Sequence, residues 1–168
     1  MARPAKGPHS AHHMRQCRED MAACRLLAVY GTLRRCDPVA LKVLRPAAVR
    51  FVGPGSLKGQ LVHLGAYPGF ILPADESGTP PLVQVDVLAL RDPQLLYELD
   101  LYEEYNPFDV AASPYRRVRL PLTGSGDRPW VYVYQGPIAR AKRIESGDWC
   151  RERGSLSARR RLPKAPRG

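Results

Sequence analysis

The stretch "LLAVYGTLRRC", Leu26 to Cys36, is an apolar run that stops at a glycine and is followed within a few residues by two arginines. A short, continuous apolar run bounded by Gly31 reads as a strand buried on both faces. Beyond it, Gly31 lets the chain turn sharply, and the N–H groups of Gly31, Thr32 and Leu33 belong to no predicted helix or ladder. Two readings stay open here: a plain connecting turn, or a loop whose amides cradle an oxyanion or a carboxylate. Arg34 and Arg35 are either solvated charges or an added attraction for an anion.

Downstream, "DPVALKVLRP" supplies Asp37 as N-cap, Pro38 at the first helical position and Pro46 as a stop, which predicts a helix of about two turns. The segments "AVRFVG", "SLKGQLVHLG", "GFILP" and "LVQVDVLAL" show partial alternation between Gly and Pro breaks and predict strands joined by tight turns. The period changes in "DPQLLYELDLYEEYNP", where Asp92 caps, Pro93 starts and Asn106-Pro107 ends the best helix in the chain. Two more strands follow in "YRRVRLPL" and "PWVYVY". With 17 prolines and 14 glycines in 168 residues, a helical bundle is excluded. The mixed order, with no βαβ repetition and no internal repeat, predicts one α+β domain with a curled, largely antiparallel sheet.

On the long helix, with Leu96 as the zero and about 100° per residue, Leu95, Leu96, Leu99 and Tyr102 form one apolar stripe. Of Glu98, Glu103 and Glu104, only Glu103 falls inside it. A carboxylate aimed inward is costly unless paired. Glu103 therefore either meets an arginine among Arg116, Arg117 and Arg119, or is a functional acid or base whose pKa burial raises to a useful value.

The net charge of +10 invites a nucleic-acid reading until it is divided along the chain. Residues 1–24 and 25–150 each carry an excess of +2, and residues 151–168 an excess of +6. The body, 25–150, is thus nearly neutral and lacks the aromatic and basic surface motifs of a nucleic-acid module; at most the basic tail makes a weak polyanion contact. Composition predicts a disordered leader over 1–24, including His12-His13, and a disordered tail over 151–168. Met21 offers a second translation start. Cys17, Cys24, Cys36 and Cys150 form no CxxC pair, which predicts free thiols, no structural metal and a reducing, cytoplasmic setting. No apolar run approaches the roughly 20 residues of a membrane span, and no apolar signal core precedes the first strand.

Taken in order, "VYGTLRR", "HLGAYPGF", "LDLYEEY", "YRRVRLP", "WVYVYQGP" and "IESGDW" resemble a gamma-glutamylcyclotransferase-like protein from about Leu26 to Trp149. The resemblance implies a small mixed β-barrel flanked by helices, no cofactor, and a small γ-glutamyl compound as substrate. It implies that Tyr30, Gly31, Thr32 and Leu33 bind the glutamyl moiety and that Glu103 is the general acid/base. The implied reaction is attack of the substrate's α-amino group on its own side-chain carbonyl, giving 5-oxoproline and a free amine or amino acid. The sequence departs from the family pattern at Glu104 and Cys36, where glycines are common, and at Val85-Asp86, where Gly-Glu is usual. Tyr115 is a candidate hydrogen-bond donor at the pocket or a wall residue, Tyr67 a turn residue and His63 a structural one. Cys36 as a nucleophile lacks a recognisable His partner motif. The rival reading is a protein that binds or senses a γ-glutamyl metabolite without turning it over. Oligomeric state and the identity of the amine are not legible.

Overall fold

The computed structural model describes residues 8–74 and 78–161. In chain order the elements are α1 (Pro8–Ala23), β1 (Leu26–Val29), α2 (Pro38–Val43), β2 (Val49–Lys58), β3 (Gln60–His63), β4 (Pro68–Ile71), β5 (Leu82–Leu90), α3 (Pro93–Tyr102), β6 (Tyr115–Arg119), β7 (Trp130–Tyr134), β8 (Arg143–Ile144) and α4 (Trp149–Arg161). Asp37 and Asp92 cap α2 and α3 as the sequence predicts, each accepting the backbone N–H two residues on, with Pro at the first helical position.

β1 lies at the centre of a five-stranded sheet ordered β2-β5-β1-β7-β6. It pairs antiparallel with β5 and parallel with β7. Its alternation explains the unbroken apolar sequence. Leu27 and Val29 join the cluster under α1 and α3, whereas Ala28 and Tyr30 face Leu61, Phe70 and Ile144 of the second sheet, β4-β3-β8. The strand is buried on both faces because a helical layer covers one and a second sheet the other. The α+β class and the largely antiparallel pairing stand, but the closed barrel does not. The ladders of the described residues make two separate sheets, stacked through Val83, Val85, Val131 and Val133.

Three expectations about the ends and the cysteines are corrected. Residues 8–23 of the leader form helix α1, which packs along α3 with Cys17 fully buried and Met21 nearly so. Its few apolar residues fall on one side of the helix, and a buried ion-pair network described below offsets its low overall hydrophobicity. The basic tail begins as α4, whose Glu152 bonds His63 at 2.9 Å and whose Arg153 pairs with Asp37 at 2.7 Å. The folded body thus extends past both ends of 25–150; residues 1–7 and 162–168 lie outside the described residues. Finally, Cys36 and Cys150 form a disulfide, while Cys17 and Cys24 are free. Cysteine usage therefore carries no argument for a reducing compartment. Among the described residues no helix is long and apolar enough to cross a membrane.

Candidate active site

The loop after β1 is tied down on one side and open on the other. The Arg34 N–H bonds the Gly31 carbonyl at 3.0 Å, and the Arg35 N–H bonds the Asp86 carboxylate at 2.9 Å. Arg34 is neither solvated nor offered to an anion: its guanidinium reaches Asp148 at 2.7 Å and Asp86 at 3.5 Å. Arg35 stacks over Phe51, 3.2 Å from the ring centroid. With the arginines occupied, the N–H groups of Gly31, Thr32 and Leu33 have no acceptor among the described residues. Gly31 is required for closeness and not for an unusual φ. A Cβ there would lie 2.8 Å from Cγ of Pro68, which the turn after β3 presses against the loop.

Facing this loop is the end of α3. Leu95, Leu96, Leu99, Tyr97 and Asp100 are buried, so the inward arc is centred nearer Asp100 than the apolar stripe indicates, and Tyr102 sits at its margin, 45% exposed. The helix closes in a Schellman motif: the Tyr105 N–H reaches the Asp100 carbonyl at 2.8 Å, and the Glu104 N–H the Leu101 carbonyl at 3.2 Å. Glu103 is the C-cap, and Glu104 takes the left-handed position at φ 54°. This turn separates the two neighbouring carboxylates, sending Glu103 inward and leaving Glu104 exposed.

Between the loop and the helix end lies a cavity of about 430 Å³, lined by Tyr30, Gly31, Thr32, Leu33, Glu103 and Tyr115, the residues that the resemblance and the sequence place at a substrate pocket. Tyr67, read only as a turn residue, joins the wall together with Pro68, Tyr102, Pro114, Tyr132 and Tyr134. His63 does not line it. The lining is mainly aromatic and apolar, with no lysine or arginine. Glu103 makes no ion pair or hydrogen bond through its side chain among the described residues. Burial, reinforced by the charge of Asp100, pushes its carboxyl up to about 7; the adjacent Glu104 is not a cause. Burial and the Glu103 charge likewise push the Tyr30 and Tyr115 phenols up, so both are hydroxyl donors at neutral pH. Tyr30 donates to the Tyr132 carbonyl at 2.8 Å, whereas Tyr115 packs on Tyr134 with its ring centroid 5.3 Å away.

None of the arginines that the sequence offers Glu103 pairs with it among the described residues. Arg117 grips Asp100 with Nε at 2.8 Å and Nη2 at 3.1 Å, and Nη2 also reaches Asp20 of α1 at 2.9 Å. Tyr132 donates its hydroxyl to Asp100 at 2.6 Å, and His13 and Cys17 complete the shell at 2.8 and 3.4 Å. His13, Cys17 and Asp100 have the types of metal ligands, yet both Asp100 oxygens are already taken by Arg117 and Tyr132, and the Arg117 guanidinium supplies the positive charge there. The donor set does not suit a metal ion. Sequence reasoning misses Asp100, although its place at about 40° on the helical wheel, beside Leu96, is the signal that finds it.

The sequence from residue 27 to 151 matches the family model described as "Gamma-glutamyl cyclotransferase, AIG2-like". The chain belongs to this family. No curated protein matches the chain. Among solved structures, it is similar to an uncharacterized protein from Pyrococcus horikoshii, with 22% identity, a TM-score of 0.58, and coverage of 82% of this chain and 98% of the other. That likeness speaks for the fold alone. The protein ytfP of Escherichia coli is 28% identical, with a TM-score of 0.53 and coverage of 74% and 95%. An AIG2-like protein from Mus musculus is 25% identical, with a TM-score of 0.54 and coverage of 73% and 86%.

The departures from the family pattern now have places. Glu104 occupies a left-handed cap where glycine is unstrained. Cys36 ends the cavity loop in the disulfide, which removes it as a nucleophile. Asp86, a position sequence reasoning treats only as a departure, holds the loop through the Arg35 N–H and the Arg34 and Arg35 side chains. Helix α1 precedes the matched residues altogether.

Proposed function

We propose that this chain is a cyclotransferase that converts a γ-glutamyl amide of a small amine or amino acid into 5-oxoproline and the free amine, without a cofactor. The observation that carries the reading is Glu103, a carboxyl with a pKa of about 7 and no side-chain partner among the described residues, in a cavity faced by three unclaimed backbone N–H groups. An α-ammonium has a pKa near 8, so a base of ordinary carboxylate strength, near 4.3, takes its proton inefficiently. A carboxyl near 7 is far better matched.

In this reading the carboxylate of Glu103 removes a proton from the substrate's α-ammonium. The freed amine attacks the side-chain carbonyl carbon, the new C–N bond closes a five-membered ring, the ring nitrogen loses its second proton to solvent, and the bond to the leaving nitrogen breaks. Glu103 returns its proton to that nitrogen, so the enzyme ends as it began. The N–H groups of Gly31, Thr32 and Leu33 orient the glutamyl moiety and stabilise charge developing on the carbonyl oxygen. Tyr115 offers a hydroxyl donor from the opposite wall. A mass-spectrometric screen of γ-glutamyl compounds for release of 5-oxoproline tests the reading. Release from at least one compound is expected; binding of such compounds with no release from any would make the protein a binder.

A further inference from the structure

Helix α1 lies outside the family-matched residues, yet it delivers three polar groups to the network one helical turn before Glu103. His13 Nε2 stands 2.8 Å from Asp100 Oδ2, the Cys17 thiol donates to the same oxygen at 3.4 Å, and Asp20 takes Arg117 Nη2 at 2.9 Å. His13 is 7% exposed and Asp100 fully enclosed. The His13 imidazole packs edge-on against Tyr97 at 4.9 Å and lies 6.4 Å from the Phe108 ring. Facing Asp100 from the remaining elements are Arg117 of β6 and Tyr132 of β7. Tyr105, just past α3, lies beside the Arg117 guanidinium.

We propose that His13 is a positioning residue for the acid/base step: by holding Asp100 it fixes how much negative charge Glu103 feels from the preceding helical turn. The proposal rests on the reading of Glu103 given above. Asp100 is the second cause, after burial, of the raised Glu103 pKa. The N–H that His13 gives to Asp100 offsets part of that carboxylate's field, whether the ring is neutral or charged. Removing it leaves more of the field acting on Glu103 and moves the Glu103 midpoint upward. A full charge one helical turn away acts by about one to two pKa units at a protein-like dielectric, so the loss of one of the several donors to Asp100 shifts the Glu103 midpoint by roughly a few tenths of a unit.

The test uses the full-length chain with His13→Ala and with His13→Gln, which keeps an N–H donor. The Glu103 side-chain carboxyl is titrated by carbon-13 NMR, and the pH profile of 5-oxoproline release is measured beside it. The expected result is an upward shift of the midpoint in His13→Ala, a parallel shift of the acid limb of kcat/KM, and return toward the wild-type value in His13→Gln. An unmoved midpoint in folded His13→Ala overturns the proposal even if activity or stability falls, because the helix is then only a structural cover. Should His13→Ala not fold, His13→Leu restores the buried volume without a donor, and the same titration decides. The titration needs no substrate. A midpoint that moves in a protein releasing no 5-oxoproline therefore supports the coupling and overturns only the proposed reaction.

Discussion

Arg117 closes on Asp100 with both Nε and Nη2, at 2.8 and 3.1 Å, and by doing so leaves Glu103, three residues further along the chain, without a cation. The two carboxyl groups share one helix end but have opposite environments. Asp100 is enclosed by donors from α1, β6 and β7, and removing one partner of so buried a pair typically costs about 3–5 kcal/mol. Glu103 is desolvated without compensation, which makes protonation easier and gives it a pKa of about 7.

This difference has a signature in stability. Glu103 goes from an ordinary value of 4.5 to about 7 on folding, so the native state holds its proton more tightly than the unfolded chain. The stabilisation linked to that proton is complete below pH 4.5 and is lost as pH rises through about 7. Over that window the wild type is expected to lose about 1–3 kcal/mol relative to Glu103→Gln, which cannot titrate. Urea unfolding of both proteins from pH 4.5 to 8 measures the difference; two curves that run parallel would mean the carboxyl is not perturbed.

Glu104 pays for the Schellman cap with a left-handed backbone at φ 54°. Glycine adopts that conformation freely, whereas an L-residue is disfavoured there by about 1–2 kcal/mol, partly offset by the greater flexibility of glycine in the unfolded chain. Glu104→Gly is expected to leave turnover within a few-fold and to stabilise the protein by up to about 1 kcal/mol, read as a rise in Tm. A lower Tm would indicate that the Glu104 side chain has a stabilising contact.

The Cys36–Cys150 bond closes a segment with a sequence separation of 114 residues and joins the cavity loop to the start of α4. Cross-links of native proteins typically contribute about 2–4 kcal/mol. Cys36→Ser is expected to lower unfolding stability by that amount under oxidising conditions, and a thiol reductant should destabilise the wild type but not the variant. Equal responses of the two proteins to reductant would show that the bond does not form in solution.

Much of the core was legible because local chemistry and tertiary structure agree. The apolar run at Leu26, the Asp-Pro starts at Asp37 and Asp92, and the inward phase of Glu103 all survive folding. What was not legible depends on partners distant in sequence. Helix α1 has too few apolar residues to announce itself, and is held by His13, Cys17 and Asp20 meeting residues some 80 to 100 positions away. No spacing rule pairs Cys36 with Cys150, since only the return of the chain end to the cavity loop brings them together. The two-sheet stack escaped for the same reason: alternation specifies faces, whereas closure depends on which edges meet.

Steady-state release of 5-oxoproline by Glu103→Gln, compared with wild type on a γ-glutamyl compound that the wild type turns over, tests the central claim most directly. The substitution keeps the size and hydrogen-bonding capacity of the side chain and removes its proton-transfer site. A general acid/base contributes roughly 10² to 10⁴ in rate, so turnover is expected to fall at least about a hundredfold, with the fold intact by circular dichroism and substrate affinity little changed. A folded Glu103→Gln protein that turns over within a few-fold of wild type would contradict the assignment of Glu103 as the acid/base.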